Sequence, residues 1–143
     1  MNARYLAVAS VAFGACIALA GPAAAEKMMM KVDMTGANEV PPVTTAGKGT
    51  ADIDYDTATK KLSWKLTYSN LTGPPTMAHF HGPAEPGKNA AVAVPIPNLG
   101  PTTAEGTVTL SDAQAADLLA GKYYVNVHTA AHPAGEIRGQ VKK

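Results

Sequence analysis

The 143-residue chain predicts an all-β fold, an antiparallel Greek-key-like sandwich or flattened barrel with one short helix. Three observations carry this expectation. Beyond residue 26 most of the chain alternates apolar and polar residues with period two, as strands buried on one face do. Turn-forming residues interrupt that alternation at short intervals. Only one stretch, 111–121, bears the signals of a helix.

The elements follow in order. Residues 27–34 (KMMMKVDM) make a first strand, broken by GANEVPPVTTAGKG, where Pro41-Pro42 and several glycines oppose regular structure. Residues 50–55 and 61–68 alternate about a turn at Asp56-Thr57-Ala58-Thr59, with Leu62, Trp64, Leu66 and Tyr68 on one face. After Gly73-Pro74-Pro75 come strands at 76–81, 91–96 and 106–110. In SDAQAADLLAG, Ser111 can cap the first turn, Asp112 suits the helix dipole, and Gly121 can end the helix in a left-handed conformation. Strands at 122–129 and 135–142 close the chain around the loop TAAHPAG. Seven or eight short strands fit one core and one domain, 26–143.

The N-terminal segment has the order of a secretory signal peptide: Arg4, an apolar run from Leu6 to Ala20, then small residues to Ala25. That run is shorter than the roughly 20 residues of a membrane-spanning helix. Cleavage after Ala25 is expected; lipidation at Cys16 fits less well, since Cys16 lies inside the apolar run. Cleavage would remove the only cysteine and, with Arg4, one of 12 basic residues against 11 acidic, leaving formal neutrality. A neutral, thiol-free exported chain gives no basis for nucleic-acid binding, a membrane span or an internal disulfide. The expected location is periplasmic or secreted.

All four histidines fall in two clusters. In Met77-Ala78-His79-Phe80-His81, Ala78 and Phe80 take the core face and His79 and His81 the outer one. In Tyr123-Tyr124-Val125-Asn126-Val127-His128, Tyr123, Val125 and Val127 face inward and His128 outward. In the last strand Ile137 and Val141 point inward, so Glu136, Arg138 and Gln140 share the outer face, where Glu136 and Arg138 make a charge pair. Symmetric pairing about the loop sets His128 opposite Glu136, with His132 at the loop tip. His79, His81 and His128 are therefore candidate metal ligands and His132 a conditional fourth. A nitrogen-only site without thiolate favours copper, with zinc second. Met28, Met30 and Met34 are read as core packing, and Asp52, Asp54 and Asp56 as a solvated edge. Met77 shares the face of His79 and His81, where a weak axial contact is conceivable.

Three segments together carry a family resemblance: Gly36 to Val43 (GANEVPPV), Ala78 to Ala84 (AHFHGPA), and YVNVHT with PAGEIRGQ over 124–140. They resemble the CHRD domain, named from the chordin family, across roughly residues 28–142. The resemblance implies a secreted β-domain. In bacteria such domains are often single exported proteins; in chordin they are repeats of a growth-factor antagonist. The family carries no settled activity.

The His-x-His pair, the later strand histidine and a nearby arginine also resemble the copper site of Cu/Zn superoxide dismutase, most closely its copper-only variants. That resemblance implies copper held by His79, His81 and His128, superoxide attracted by Arg138, and an oxidoreductase. It lacks the structural disulfide and the zinc subsite. The function expected is thus an exported copper-binding domain extending to superoxide dismutase-like redox activity. Two alternatives stand beside it: a non-catalytic module binding a protein or matrix partner, and a periplasmic copper carrier.

Overall fold

A computed structural model describes residues 25–143. The export segment and Cys16 therefore lie, but for Ala25, outside the described residues. The strands are β1 (Lys27–Thr35), β2 (Lys48–Asp56), β3 (Lys61–Ser69), β4 (Pro75–His81), β5 (Val92–Pro95), β6 (Thr103–Thr109), β7 (Tyr124–Thr129) and β8 (Ile137–Gln140). A 3-10 turn, Gly36–Asn38, follows β1, and helix α1 covers Asp112–Leu119. The eight strands form one sheet in the order β5-β4-β7-β8-β1-β2-β3-β6, every pairing antiparallel.

Chain connectivity forces this sheet to curl. β3 and β4 follow one another in sequence yet stand five places apart in the sheet, about 24 Å if flat. The connection 70–74 reaches at most about 20 Å. β5 and β6 lie on opposite edges, about 34 Å apart if flat, and residues 96–102 reach about 27 Å. Both connections fit only if the edges bend toward each other, and the sheet is a curled half-barrel, the flattened-barrel form of the sequence expectation. Its concave side holds the core: Val32, Met34, Ile53, Leu62, Leu66, Phe80, Val125, Val127 and Ile137 are all buried. Trp64 of β3 meets Phe80 of β4 across the inside at 5.5 Å between ring centres and an interplanar angle of 67°. Gly106 of β6 lies beneath Trp64, where a Cβ would fall 2.5 Å from the indole ring.

The helix covers one end as expected. Ser111 and Gln114 form a reciprocal capping box, and Ala115 and Leu118 enter the core. Gln114 Nε2 donates to Ala93 O on edge strand β5 (3.0 Å), and Gly121 turns with φ 72°. Among the described residues no helix is long and apolar enough to cross a membrane. Met28, Met30 and Met34 pack on or in the core, while Met29 is 85% exposed. In the acidic row of β2, Asp52 and Asp54 are exposed. Asp52 pairs with Lys31 at 3.6 Å, and Asp56 Oδ1 accepts from Ala58 N and Thr59 N in the turn.

Several boundaries shift by one to three residues from the sequence pattern, two of them for a definable reason. β6 starts at Thr103, because Ala104 is a buried alternating position that small size concealed. β8 is only Ile137–Gln140, since Gly135 takes φ 130° and turns the chain before Glu136. Glu136 is fully buried and pins two loops to the sheet. Its carboxylate accepts from Thr45 Oγ1 (2.7 Å), Thr129 Oγ1 (2.7 Å), Thr72 Oγ1 (2.8 Å) and Thr72 N (2.9 Å). Burial raises this carboxyl's pKa, but the hydrogen bonds from Thr129, Thr45 and Thr72 outweigh it and hold it below the usual glutamate value.

Two outcomes follow for stability. Phe80→Ala should cost about 3–5 kcal/mol in urea unfolding, the range for a truncated buried aromatic. Because the folded-state pKa of Glu136 is depressed, its stabilisation is present above the unfolded value and lost as pH falls through the folded one. Glu136→Gln should therefore destabilise the protein at pH 7 by about 1–3 kcal/mol and flatten the stability loss below pH 4.5. Denaturant midpoints of both proteins at pH 7 and pH 3.5 check this.

Candidate metal centre

The face of β4 and β7 turned away from the core is largely covered, open only at Met77 and His79 of β4. All six residues of β7 are buried, so this strand is covered on both sides. The second cover comes from loops read in the sequence as connections. Arg138, only 2% exposed, lies with its guanidinium 3.4 Å over the Tyr124 ring. It donates to Lys88 O (2.6 Å) and Asn89 Oδ1 (2.9 Å). Asn89 Nδ2 in turn donates to Val40 O (2.9 Å), joining the 82–91 loop to the 36–47 loop. The anticipated Glu136–Arg138 charge pair does not form. Glu136 is taken by threonines and Arg138 by the Lys88 backbone, the Asn89 side chain and Tyr124, because the fold offers both groups closer partners.

Under this cover His79, His81 and His128 converge. Each offers a ring nitrogen that lies within 4.8 Å of the others. The β4–β7 register sets His79 opposite Asn126 and Met77 opposite His128, so strand alternation alone brings the rings to one patch. His79 Nδ1 lies 3.2 Å from His128 Nε2. His81 and His128 are 8% and 6% exposed, and His79 is half-buried. His132 is not in this group; it sits in the 130–135 turn, its N–H donating to Thr129 O (3.1 Å).

Two of the three imidazoles have their tautomer set by the backbone. His81 Nδ1 faces Ala90 O at 3.0 Å, and His128 Nδ1 faces Pro133 O at 2.9 Å. A carbonyl oxygen only accepts, so both Nδ1 atoms carry hydrogen. That leaves each Nε2 as a lone pair aimed at the centre, the arrangement that outer hydrogen bonds impose on metal-ligating histidines. Both Nε2 atoms also lie 3.0 Å from Asn126 Oδ1, itself an acceptor. Nδ2 of Asn126 and Oε1 of Glu39 border the same side of Gly135, where a Cβ would lie 2.8 Å and 2.3 Å from them.

The centre is therefore short of hydrogen. Four acceptor-capable atoms meet there, and only His79 Nδ1 can carry a proton between them. A second proton on any ring is disfavoured. His79 and His81 have their pKa values lowered first by burial and further by neighbouring histidines, and burial lowers that of His128. Neutral imidazoles with converging lone pairs are what a cation fits, and the residues present meet that requirement without rearrangement of the backbone.

Two further residues complete the surroundings. Tyr124 stacks on His81 at 4.7 Å between centroids and 4° between planes, placing Arg138, Tyr124 and His81 in one column. Glu39 is buried, and its Oε1 has no hydrogen-bond partner. Burial raises its carboxyl pKa, with the Arg138 charge acting against this. Sequence reasoning missed Glu39, Ala90 and Pro133 as parts of the centre, and it gave Asn126 no role. Only Asn126 left a usable signal, its i, i+2 spacing from His128 on one strand face. Long-range proton–nitrogen NMR at pH 7 should show His81 and His128 both as Nδ1–H tautomers in the metal-free protein, with Nε2 unprotonated.

A family profile described as the CHRD domain matches residues 30–141, from β1 to just beyond β8. Comparison with curated proteins and with solved structures returned no match. The profile takes in both histidine strands, the loops over them and Arg138, and on that match the chain belongs to the CHRD domain family.

Proposed function

We propose that this protein is an exported copper-binding CHRD domain, acting in the periplasm or outside the cell, with superoxide as the substrate class of its redox chemistry. The observation that carries the reading is the convergence of three imidazole nitrogens within 4.8 Å, two of them freed for ligation by backbone carbonyls. The donor set is nitrogen only, which suits copper and zinc; copper is favoured for an exported chain whose sole cysteine falls in the segment expected to be cleaved. Bound copper would supply one-electron exchange, by which two superoxide ions and two protons become dioxygen and hydrogen peroxide.

The chain's own residues have definable tasks in that reading. His79, His81 and His128 hold the ion. Ala90 O and Pro133 O fix the rings, and Asn126 sets the spacing between His81 and His128. Arg138 does not face the three nitrogens; its charge stands behind Tyr124 and His81 and reaches the centre through that stack. It therefore serves as a positioning residue that holds the 88–90 backbone, and its positive charge favours arrival of a small anion. Glu39, buried beside Asn126, offers the balancing negative charge.

Protein produced from the full sequence, loaded with copper and freed of excess, should retain about one ion per chain by elemental analysis. His79→Ala, His81→Ala and His128→Ala should each lower copper affinity by at least about 100-fold, more than the 10–100-fold typical of losing an outer partner. Full retention in all three variants overturns the reading. The redox part requires that the copper-loaded protein consume superoxide and the metal-free protein not do so. A module whose histidines serve only structure would keep its thermal stability and partner binding in chelator.

A further inference from the structure

Met77 is exposed where packing gives no reason for a large apolar side chain. It is one of three large hydrophobic residues exposed among the described residues, at 46%. Ala78 and Phe80, its neighbours in alternation, fill the core, so Met77 lies on the histidine face of β4, two residues from His79. Across the strand pair its register partner is His128. Side chains directly opposite on one sheet face stand with Cβ atoms about 4.5–5.5 Å apart. Met77 thus neighbours two of the three histidines at once.

The other sides of the centre are closed. His81 is covered by the Tyr124 ring and Ala90 O, His128 is held by Pro133 O, and Asn126 lies between them. The open side is that of His79, the least buried of the three rings. There Met77 and His79 border one surface cleft of about 360 Å³, rimmed by Pro75, Pro95 and Pro97.

From this placement we propose that Met77 is the fourth ligand of the centre, its thioether completing a three-nitrogen, one-sulfur site for monovalent copper. The inference rests on the histidine centre proposed above. A thioether is a soft donor that favours copper(I) over zinc or copper(II). Methionine has three rotatable bonds beyond its backbone, so Sδ can swing onto an ion held by His79 and His128 without moving the strand. Its exposure has a second consequence. The ligand nearest solvent is the one that leaves first, so copper enters and departs past Met77, and an acceptor meets it through this cleft.

Met77→Leu tests the assignment, since leucine keeps the bulk at an exposed site and removes only the sulfur. Met29→Leu, which alters the other strongly exposed methionine, is the control for a generic thioether effect. Copper(I) affinity is read by competition with bicinchoninate, zinc affinity by competition with a chromophoric chelator, and the ligand shell by copper K-edge absorption of the copper(I) protein. Met77→Leu should weaken copper(I) binding at least about ten-fold, the smallest loss expected for an outer partner. Zinc affinity should stay within two-fold, and the sulfur contribution seen in the unaltered protein should vanish. Met29→Leu should change nothing. Unchanged copper(I) affinity in Met77→Leu, or no sulfur in the unaltered protein's spectrum, overturns the role of Met77. Failure of the centre itself reads differently: the unaltered protein would then bind neither ion, or His128→Ala would bind both as before.

Discussion

The second layer over the histidines depends on Arg138. Its guanidinium is buried on the Tyr124 ring, and its N–H groups hold the backbone at Lys88 and the side chain at Asn89. Taking a guanidinium out of water is costly unless its donors are met, and here a carbonyl, an amide oxygen and an aromatic face meet them. The consequence is positional. With 88–89 held, Ala90 O reaches His81 Nδ1, and through Asn89 the 36–47 loop is drawn over the same face. The cover over His81 and its tautomer descend from that clamp, whereas the tautomer of His128 is set separately by Pro133 O.

Glu136 does for the sheet what Arg138 does for the loops. Four hydrogen bonds to one buried carboxylate gather residues 45, 72 and 129 from three parts of the chain. The connection containing Thr72 is one of the two whose short reach bends the sheet, so Glu136 sits at a point where curvature is imposed. Core and site are thus two faces of the same strands. Phe80 and Val127 pack inward between His79, His81 and His128, and a shift of one residue in β4 or β7 would exchange the two sets.

The chemistry at the centre follows from what is missing between its atoms. Hydrogens are committed outward to Ala90 and Pro133, leaving lone pairs facing inward. Glu39 and Arg138 lie in the same buried region, where each favours the other's charged form against the burial that opposes it. A centre of neutral imidazoles meets a cation without like-charge repulsion from its own donors. The half-open side at His79 and Met77 gives that cation a route.

Period-two alternation determined much of this in advance. Leu62, Trp64, Leu66 and Tyr68 on one face, Ala78 and Phe80 opposite His79 and His81, and the symmetric return of 137–140 onto 124–127 all follow from local pattern, because a strand's faces are set by its own backbone. The capping of α1 was equally local. Tertiary structure decided the rest, because it depends on contacts between residues far apart in sequence. The curl came from connections too short for a flat sheet. The cover over the outer face came from loops whose only sequence signature was turn composition. Arg138 and Glu136 parted because each found partners about 50 to 90 positions away, such as Asn89 and Thr45, that no spacing rule reveals. Sequence alone determined which side of their strands His79, His81 and His128 occupy; only the folded loops decided that this side is buried, hydrogen-poor and covered everywhere except beside His79 and Met77.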